Sequence, residues 1–244
     1  MEGLAAKGCR LVQLDVTKPE TIKAAVDKIV GENGRIDGVA VRKPALDTPL
    51  EEVRAMYDVN YFGVVAVNDE VMPHMVEQRS GKILNLGSGL GYTGLPTMSH
   101  YSAVKHAVRS YTDMLRIELA PFGVQVCFVA PGYIRTHIGD GYELPKGSIY
   151  HAFPRLANEL SKTVFIGTTF EAATPADVFA SRLAKAVLAP RIPRHYRDGH
   201  LAIVPWLASM FVPLWIYEWG FALRYGITPN SMVGRPFSKD NKGK

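Results

Sequence analysis

An α/β fold built on a doubly wound parallel sheet is predicted by three features of this 244-residue sequence. Short apolar runs alternate with stretches of helical period, cap and turn signals stand at the junctions, and no Ser/Gly/Pro-rich linker or charge block divides the chain. Strands and helices in such alternation place helices on both faces of a parallel sheet. Ligands of these sheets gather at the carboxyl ends of the strands, so the chemistry is expected just after Leu14, Val41, Leu86 and Val129.

The elements follow in order. Residues 10–14 read as a strand, Thr17 to Glu20 as a capping box, and Ile22, Val26, Ile29 and Val30 follow at helical spacing. Residues 38–41 form a second, short strand. Thr48-Pro49-Leu50-Glu51 is a cap with proline in the first helical position, opening a helical stretch to about residue 78. Residues 82–87 are a third strand, 99–121 a long helix, and 124–130 a fourth strand rich in β-branched residues. After an irregular stretch over 135–174, Thr174-Pro175 opens a helix to Leu188, and residues 201–204 are read as a fifth strand.

Composition narrows the function classes. Apolar residues at 47% and charged residues at 21% exclude disorder, collagen and coiled coil. Cys9 and Cys127 come with no CxxC and no Cys/His cluster, so neither a disulfide framework nor a metal site is expected, and a reducing compartment is. The start, MEGLAAKGCR, carries no secretory or transit pattern. A net charge of +5 is spread along the chain instead of forming a patch, which argues against a nucleic-acid partner.

Ser88 follows the third strand, and Tyr101 and Lys105 stand four residues apart on the long helix. Residues i and i+4 share a helix face, so Tyr101 and Lys105 are expected to point together over the strand edge that carries Ser88. Such a set suits proton transfer to a ketone oxygen. A neighbouring ammonium is expected to lower the phenol's pKa and make the pair a general acid/base, with the serine hydroxyl donating to the carbonyl oxygen as it gains charge. A Tyr-x-x-x-Lys pair alone is common on helices; here it is joined by Val59-Asn60-Tyr61-Phe62-Gly63 upstream and by Pro131-Gly132 and Thr136 downstream.

In order and spacing, Leu14-Asp15-Val16-Thr17, the Asn60 motif, Asn85-Leu86-Gly87-Ser88, Tyr101-Ser102-Ala103-Val104-Lys105 and Pro131-Gly132-Tyr133-Ile134-Arg135-Thr136 resemble the short-chain dehydrogenase/reductase family. The resemblance runs from Asp15 to about Leu188 and implies a Rossmann-like sheet. It implies Tyr101 as general acid, Lys105 as its tuner and ribose ligand, Ser88 as carbonyl orienter and Asn60 as support for a proton-relay water. It places Asp15 near the adenine, Pro131 and Gly132 in the cofactor turn, and Ile134 and Thr136 near the nicotinamide carboxamide. Within the family, the wording of residues 46–54 and 126–134 is similar to fungal 1-acyldihydroxyacetone-phosphate reductases, and reductases of fungal secondary metabolism share it. NADP(H) is the cofactor implied, with NAD(H) as alternative.

Two family motifs have no counterpart here. The chain opens at what reads as the family's third strand, so the glycine-rich phosphate loop and the first strands and helices are expected to be lacking, and Gly38-Val39-Ala40-Val41 runs into Arg42-Lys43-Pro44 where an Asn-Asn-Ala-Gly turn would stand. Gly89-Leu90-Gly91-Tyr92-Thr93-Gly94 matches G-x-G-x-x-G after a strand, but no helix opens directly behind it. It reads as a flexible segment on the substrate side. Two expectations stay open: a ketone reductase completed by one or two further βα units, or a cofactor-deficient family member acting through membranes or partners.

Residues 1–200 thus read as an incomplete reductase domain whose 135–174 segment, rich in Tyr142, Tyr150, Phe153 and Phe170, is a substrate lid for a large hydrophobic ketone or an acyl-dihydroxyacetone-phosphate-like substrate. Residues 201–244 read as its hydrophobic extension. Between 201 and 223 the only charge is Glu218, and all three tryptophans, Trp206, Trp215 and Trp219, lie there behind a basic cluster at Arg191, Arg194, His195 and Arg197. Peripheral attachment is expected, with rings at the interface and Arg194, Arg197 and Arg224 near anionic headgroups. The location expected is the cytoplasmic face of endoplasmic reticulum or lipid droplets, or the cytoplasm. The long helices after Leu50 and Ser99 are expected to form homo-oligomer contacts.

Overall fold

The structure, a computed structural model, describes residues 43–135, 142–161 and 171–228. The expected elements at 10–14, 17–30 and 38–41, together with Asp15 and Thr136, lie outside them. Helix α1 (Leu50–Tyr57) starts at Pro49, with Glu51 and Glu52 in its first turn where the helix dipole favours acids. Thr48 does not cap it. Its hydroxyl instead donates to the Pro44 carbonyl at 2.9 Å, because Pro49 itself occupies the cap position.

The single helix expected up to residue 78 is interrupted. A five-residue π-helical turn, Asp58–Phe62, separates α1 from α2 (Gly63–Glu77). Strand β1 (Gly81–Leu86) leads to a 3-10 turn at Gly89–Gly91 and then to helix α3 (Ser99–Leu119). Gly123 then takes a left-handed φ of 76°, where an added Cβ would meet the Arg79 carbonyl. Strand β2 (Val124–Pro131) is followed by the short β3 (Ile134–Arg135), helix α4 (Pro154–Ser161), β4 (Thr174–Pro175) and helix α5 (Ala176–Leu188). Strand β5 (His195–Asp198) and helices α6 (Val204–Phe211) and α7 (Leu214–Tyr225) complete the described chain.

The described strands pair in parallel throughout. The main sheet runs β1-β2-β5, with Leu86 opposite Val129 and Val129 opposite Tyr196, and β3 pairs with β4. The parallel register follows from burial on both faces: Val126, Phe128, Val129 and Ala130 of β2 are all buried, the near-continuous apolar run that helices on both sides demand. Ile83, Leu115, Leu119, Val124 and Val126 form one core at the lower end of the sheet, and Tyr92, Val108, Phe128 and Ala130 another near its carboxyl edge.

The fifth strand corrects the sequence expectation. It is His195–Asp198, not 201–204; Leu201 has a φ of 58°, and Val204 already begins α6. Its ionisable side chains concealed it, since each finds partners within the protein. Residues 149–161, expected to be irregular, contain a 3-10 turn and α4, whose Leu156 and Leu160 pack on Tyr225 of α7. Much of the apolar surface of this segment is therefore spent on a core shared with α7.

A buried polar chain ties the layers together. Asn68 of α2 donates to the Asn85 side chain at 3.1 Å, Asn85 donates to the Thr112 hydroxyl of α3 at 3.1 Å, and Thr112 donates to the Val108 carbonyl at 2.6 Å. All three side chains are buried. Replacing Asn85 by Ala strands the Asn68 amide without solvent; a loss of about 1–3 kcal/mol in urea unfolding is expected, with the transition still cooperative. An unchanged midpoint would show that the two helices are held to β1 by apolar packing alone.

Candidate active site

Ser88, Tyr101 and Lys105 converge at the carboxyl end of β1. The strand ends at Leu86, and Gly87 lets the chain cross the Phe128 ring, which any Cβ there would overlap. Ser88 follows in extended conformation, its hydroxyl accepting the Leu90 amide at 3.1 Å and so starting the 3-10 turn. From the first turns of α3, Tyr101 reaches Ser88 through its hydroxyl, and the Lys105 ammonium lies 5.6 Å from the Tyr101 ring centre. Lys105 is 3% exposed and donates to the Leu86 carbonyl at 3.3 Å.

Burial dominates the electrostatics of this pair. It pushes the Tyr101 phenol above its ordinary value of 10, opposed only by the Ser88 hydrogen bond, and pulls Lys105 down to about 8. The expected lowering of Tyr101 by Lys105 is thus corrected. The ammonium sits over the ring face, and desolvation wins. At neutral pH Tyr101 holds its proton, the form that protonates a carbonyl oxygen.

Asn60 occupies the π-helical turn, 2% exposed, with its amide donating to the Met56 carbonyl at 3.0 Å. The turn packs against α3. Such turns recur at functional positions because the extra residue re-aims a side chain without ending the helix.

Past β2, the chain is held at Gly132. Its amide donates to the Asp198 carbonyl at 2.9 Å, Tyr133 donates to the His200 carbonyl at 2.8 Å, and a Cβ on Gly132 would overlap the backbone at His200 and Ala202. Pro131, Gly132 and Ile134 therefore sit at the same sheet edge as Ser88, partly exposed. Gly89 to Gly94 is anchored, correcting the expectation of a flexible segment. Gly91 abuts the Lys105 carbonyl and Phe128, Tyr92 is buried, and the Tyr217 hydroxyl of α7 donates to the Gly94 carbonyl. Among the described residues no group of three or more His, Cys, Asp or Glu is placed to hold a metal.

The family model for short chain dehydrogenases matches residues 2–144. This chain belongs to that family. The short-chain dehydrogenase resembles 3-ketodihydrosphingosine reductase of Bacteroides thetaiotaomicron, 36% identical over 137 residues, 54% of this chain and 51% of that protein. It resembles NADPH-dependent 1-acyldihydroxyacetone phosphate reductase of Schizosaccharomyces pombe, 32% identical over 193 residues, 72% of this chain and 65% of that one. The match spans about half the length of most of these curated relatives. Among solved structures, a short-chain dehydrogenase from Streptomyces avermitilis aligns with a TM-score of 0.66 at 25% identity, over 87% of this chain and 79% of that one. A Rossmann-like α/β fold follows.

One constellation near the candidate site escaped the sequence. Tyr92 and His195 Nδ1 are 2.5 Å apart, His195 Nε2 and Asp113 2.7 Å, and Arg116 holds Asp113 at 2.9 Å. Arg197 donates to the Tyr92 hydroxyl at 3.1 Å and stacks on Trp206 at 4.3 Å. Asp113 requires a proton on Nε2, so Nδ1 accepts from Tyr92. Tyr92 and Asp113 stand 82 to 105 residues from their partners His195 and Arg197, leaving no local pattern to find.

Burial holds His195 below the ordinary 6.5 although Asp113 opposes the shift. Unfolding therefore takes up a proton as pH falls past 6.5, and stability declines on acidification. In melting experiments from about pH 7.5 to about pH 5.5, His195→Gln is expected to show a shallower decline than the parent. Parallel curves would mean that His195 carries no such linkage.

Proposed function

We propose that this chain carries the reducing centre of an oxidoreductase acting on a ketone of a hydrophobic or lipid-like substrate with a nicotinamide cofactor. The observation that carries the proposal is the convergence of Ser88, Tyr101 and the buried Lys105 at one strand end, with Tyr101 protonated. The site fits that cofactor: a desolvated ammonium whose hydrogen bond to Leu86 is long at 3.3 Å has capacity left for ribose hydroxyls. Tyr101, Lys105, Pro131, Gly132 and Ile134 would hold the nicotinamide end, with Asp15 and Thr136 assigned from the sequence motif alone. NADP(H) is preferred over NAD(H), since the similar Schizosaccharomyces reductase is NADPH-dependent by name.

When bound, the cofactor supplies a hydride to the carbonyl carbon. Ser88 orients the carbonyl by a hydrogen bond to its oxygen. As that oxygen takes the electron pair of the C=O bond, the Tyr101 hydroxyl gives up its proton to it, leaving an alcohol and a phenolate that Lys105 stabilises. Asn60 supports the water path that reprotonates Tyr101.

Names of relatives that act on 3-ketodihydrosphingosine and 1-acyldihydroxyacetone phosphate support a lipid-like ketone, and a fungal secondary-metabolite ketone is the alternative. Residues 1–200 form the reductase domain with its lid at 135–174, and 201–244 its hydrophobic extension. Peripheral contact with a membrane through 201–223 would bring the site to such substrates on the cytoplasmic face of endoplasmic reticulum or lipid droplets. The exposed Phe62, Met114 and Ile117 favour contacts between copies along the π turn and α3.

In a chain competent to bind nucleotide, Tyr101→Phe is expected to lower NADPH-dependent reduction of a long-chain ketone by about 10²-fold or more, the scale of general acid catalysis. Lys105→Ala should reduce turnover and nucleotide affinity together. Near-parental rates for Tyr101→Phe in steady-state assays would remove the proposed acid.

A further inference from the structure

Helices α6 and α7 meet at a bare apolar tip. The seven residues 210–216 are apolar and all exposed, Phe211, Leu214 and Trp215 by 70%, 69% and 68%. Along α7, Trp215, Trp219 and Leu223 recur every four residues, so this exposed stripe continues from the tip on one helix face. The other side of α7 is occupied. Phe221 and Tyr225 pack on Leu156 and Leu160 of the lid, and Tyr217 bonds the Gly94 carbonyl in the loop after Ser88. At the start of α6, Pro205 lies against Gly89 of the same loop, so the hairpin is fixed to the site's own walls.

Charge and backbone indicate what covers the tip. Of the three basic residues expected to meet anionic headgroups, Arg197 is committed to Tyr92 and Trp206, Arg224 lies 3.4 Å from Glu159, and the exposed Arg194 stands before the amino end of β5 while α6 follows its carboxyl end. Within 201–223 the single charge is Glu218. A protein interface carries a polar rim, whereas residues 210–216 carry no polar side chain. Its backbone is satisfied only in part: Val212 donates to Ala208 at 3.0 Å, Ile216 to Pro213 at 3.0 Å, and Pro213 has no N–H, while the first amides of α7 have no side-chain cap, which suits the interfacial depth that water still reaches. Among the described residues no helix is long and apolar enough to cross a membrane, so this geometry suits shallow insertion.

We infer that Phe211, Leu214, Trp215 and Trp219 insert into the hydrocarbon edge of a lipid surface, and that hydrocarbon burial, not headgroup charge, drives attachment. This deepens the reductase proposal and rests on it only for the purpose of attachment, the delivery of a lipid-borne ketone to the loop after Ser88.

The test is flotation of the full chain with small dioleoylphosphatidylcholine vesicles, with and without phosphatidylserine, at about 0.1 M and about 0.5 M salt. Flotation with the zwitterionic vesicles, little changed by salt and accompanied by a blue shift of tryptophan emission, is expected. The double variant Phe211→Asp/Trp215→Asp alters only exposed side chains. It should bind about 10²-fold more weakly, as two large rings leaving hydrocarbon requires, at unchanged melting temperature. Failure of the parent to float, binding confined to anionic vesicles and lost in high salt, or equal flotation of the variant would each overturn the inference. So would a fall in solution mass from dimer to monomer in the variant without lost flotation, which would make a second copy the occupant. Tyr101→Phe should float as the parent does. Absence of ketone reduction in every protein, with flotation intact, would strike the reductase proposal alone.

Discussion

Everything at the carboxyl edge of the sheet depends on the side chain of Asn85. It points from the strand that leads to Ser88 and is hydrogen-bonded to both α2 and α3, inside the protein where an unpaired amide is costly. One helix continues from the turn that presents Asn60, and the other carries Tyr101 and Lys105. Apolar contacts alone would let these helices slide against the strand, because dispersion is non-directional. The amide chain fixes their register. Gly87 then admits Phe128 against the strand end, so β2 and its Pro131-Gly132 turn share the same reference point.

The dryness this packing creates sets the chemistry. An ammonium 3% exposed is held below its usual pKa, to about 8, and a phenol beside it is held above 10, both because each charged form lacks solvent. The two shifts leave Lys105 charged and Tyr101 neutral at physiological pH, the pairing that the proposed reduction uses. Cys127, in the same sheet, shows the opposite use of burial. Its thiol is pushed up to about 11, so it stays an inert core group.

How much of this was legible follows from the range of the interactions. Tyr101 and Lys105 share a face by helical spacing alone, and α3, β1 and β2 follow their apolar periods closely, so the centre of the site could be read from sequence. Asn60 was located but not its setting. A π-helical turn leaves no mark in a hydrophobic pattern that continues on both sides. Strand β5 was misplaced because His195, Arg197 and Asp198 look like solvent-facing residues. Only pairing with Tyr92, Asp113 and Arg182, distant in sequence, makes that composition compatible with a strand. Thr48 showed the limit of cap motifs, since a proline in the cap position displaced its hydroxyl.

One apolar segment plays two parts for the same reason of range. Residues 201–223 carry one charge, Glu218, in an otherwise largely apolar run, which gives no indication of which side faces the protein. Pro213 decides it: by starting α7 with an extended turn it breaks what would otherwise be one long helix into two short ones. Gly226, at a φ of 69°, ends α7 with Ile227 donating back to Ala222 at 2.9 Å. Between those two stops α7 has room for three turns. One face is consumed by the α4 core through Phe221 and Tyr225 and by the loop after Ser88 through Tyr217, so the rings at Trp215 and Trp219 are left outside by geometry. Their exposure is thus a consequence of how the site is walled, and any surface that covers them lies against the outer side of that wall.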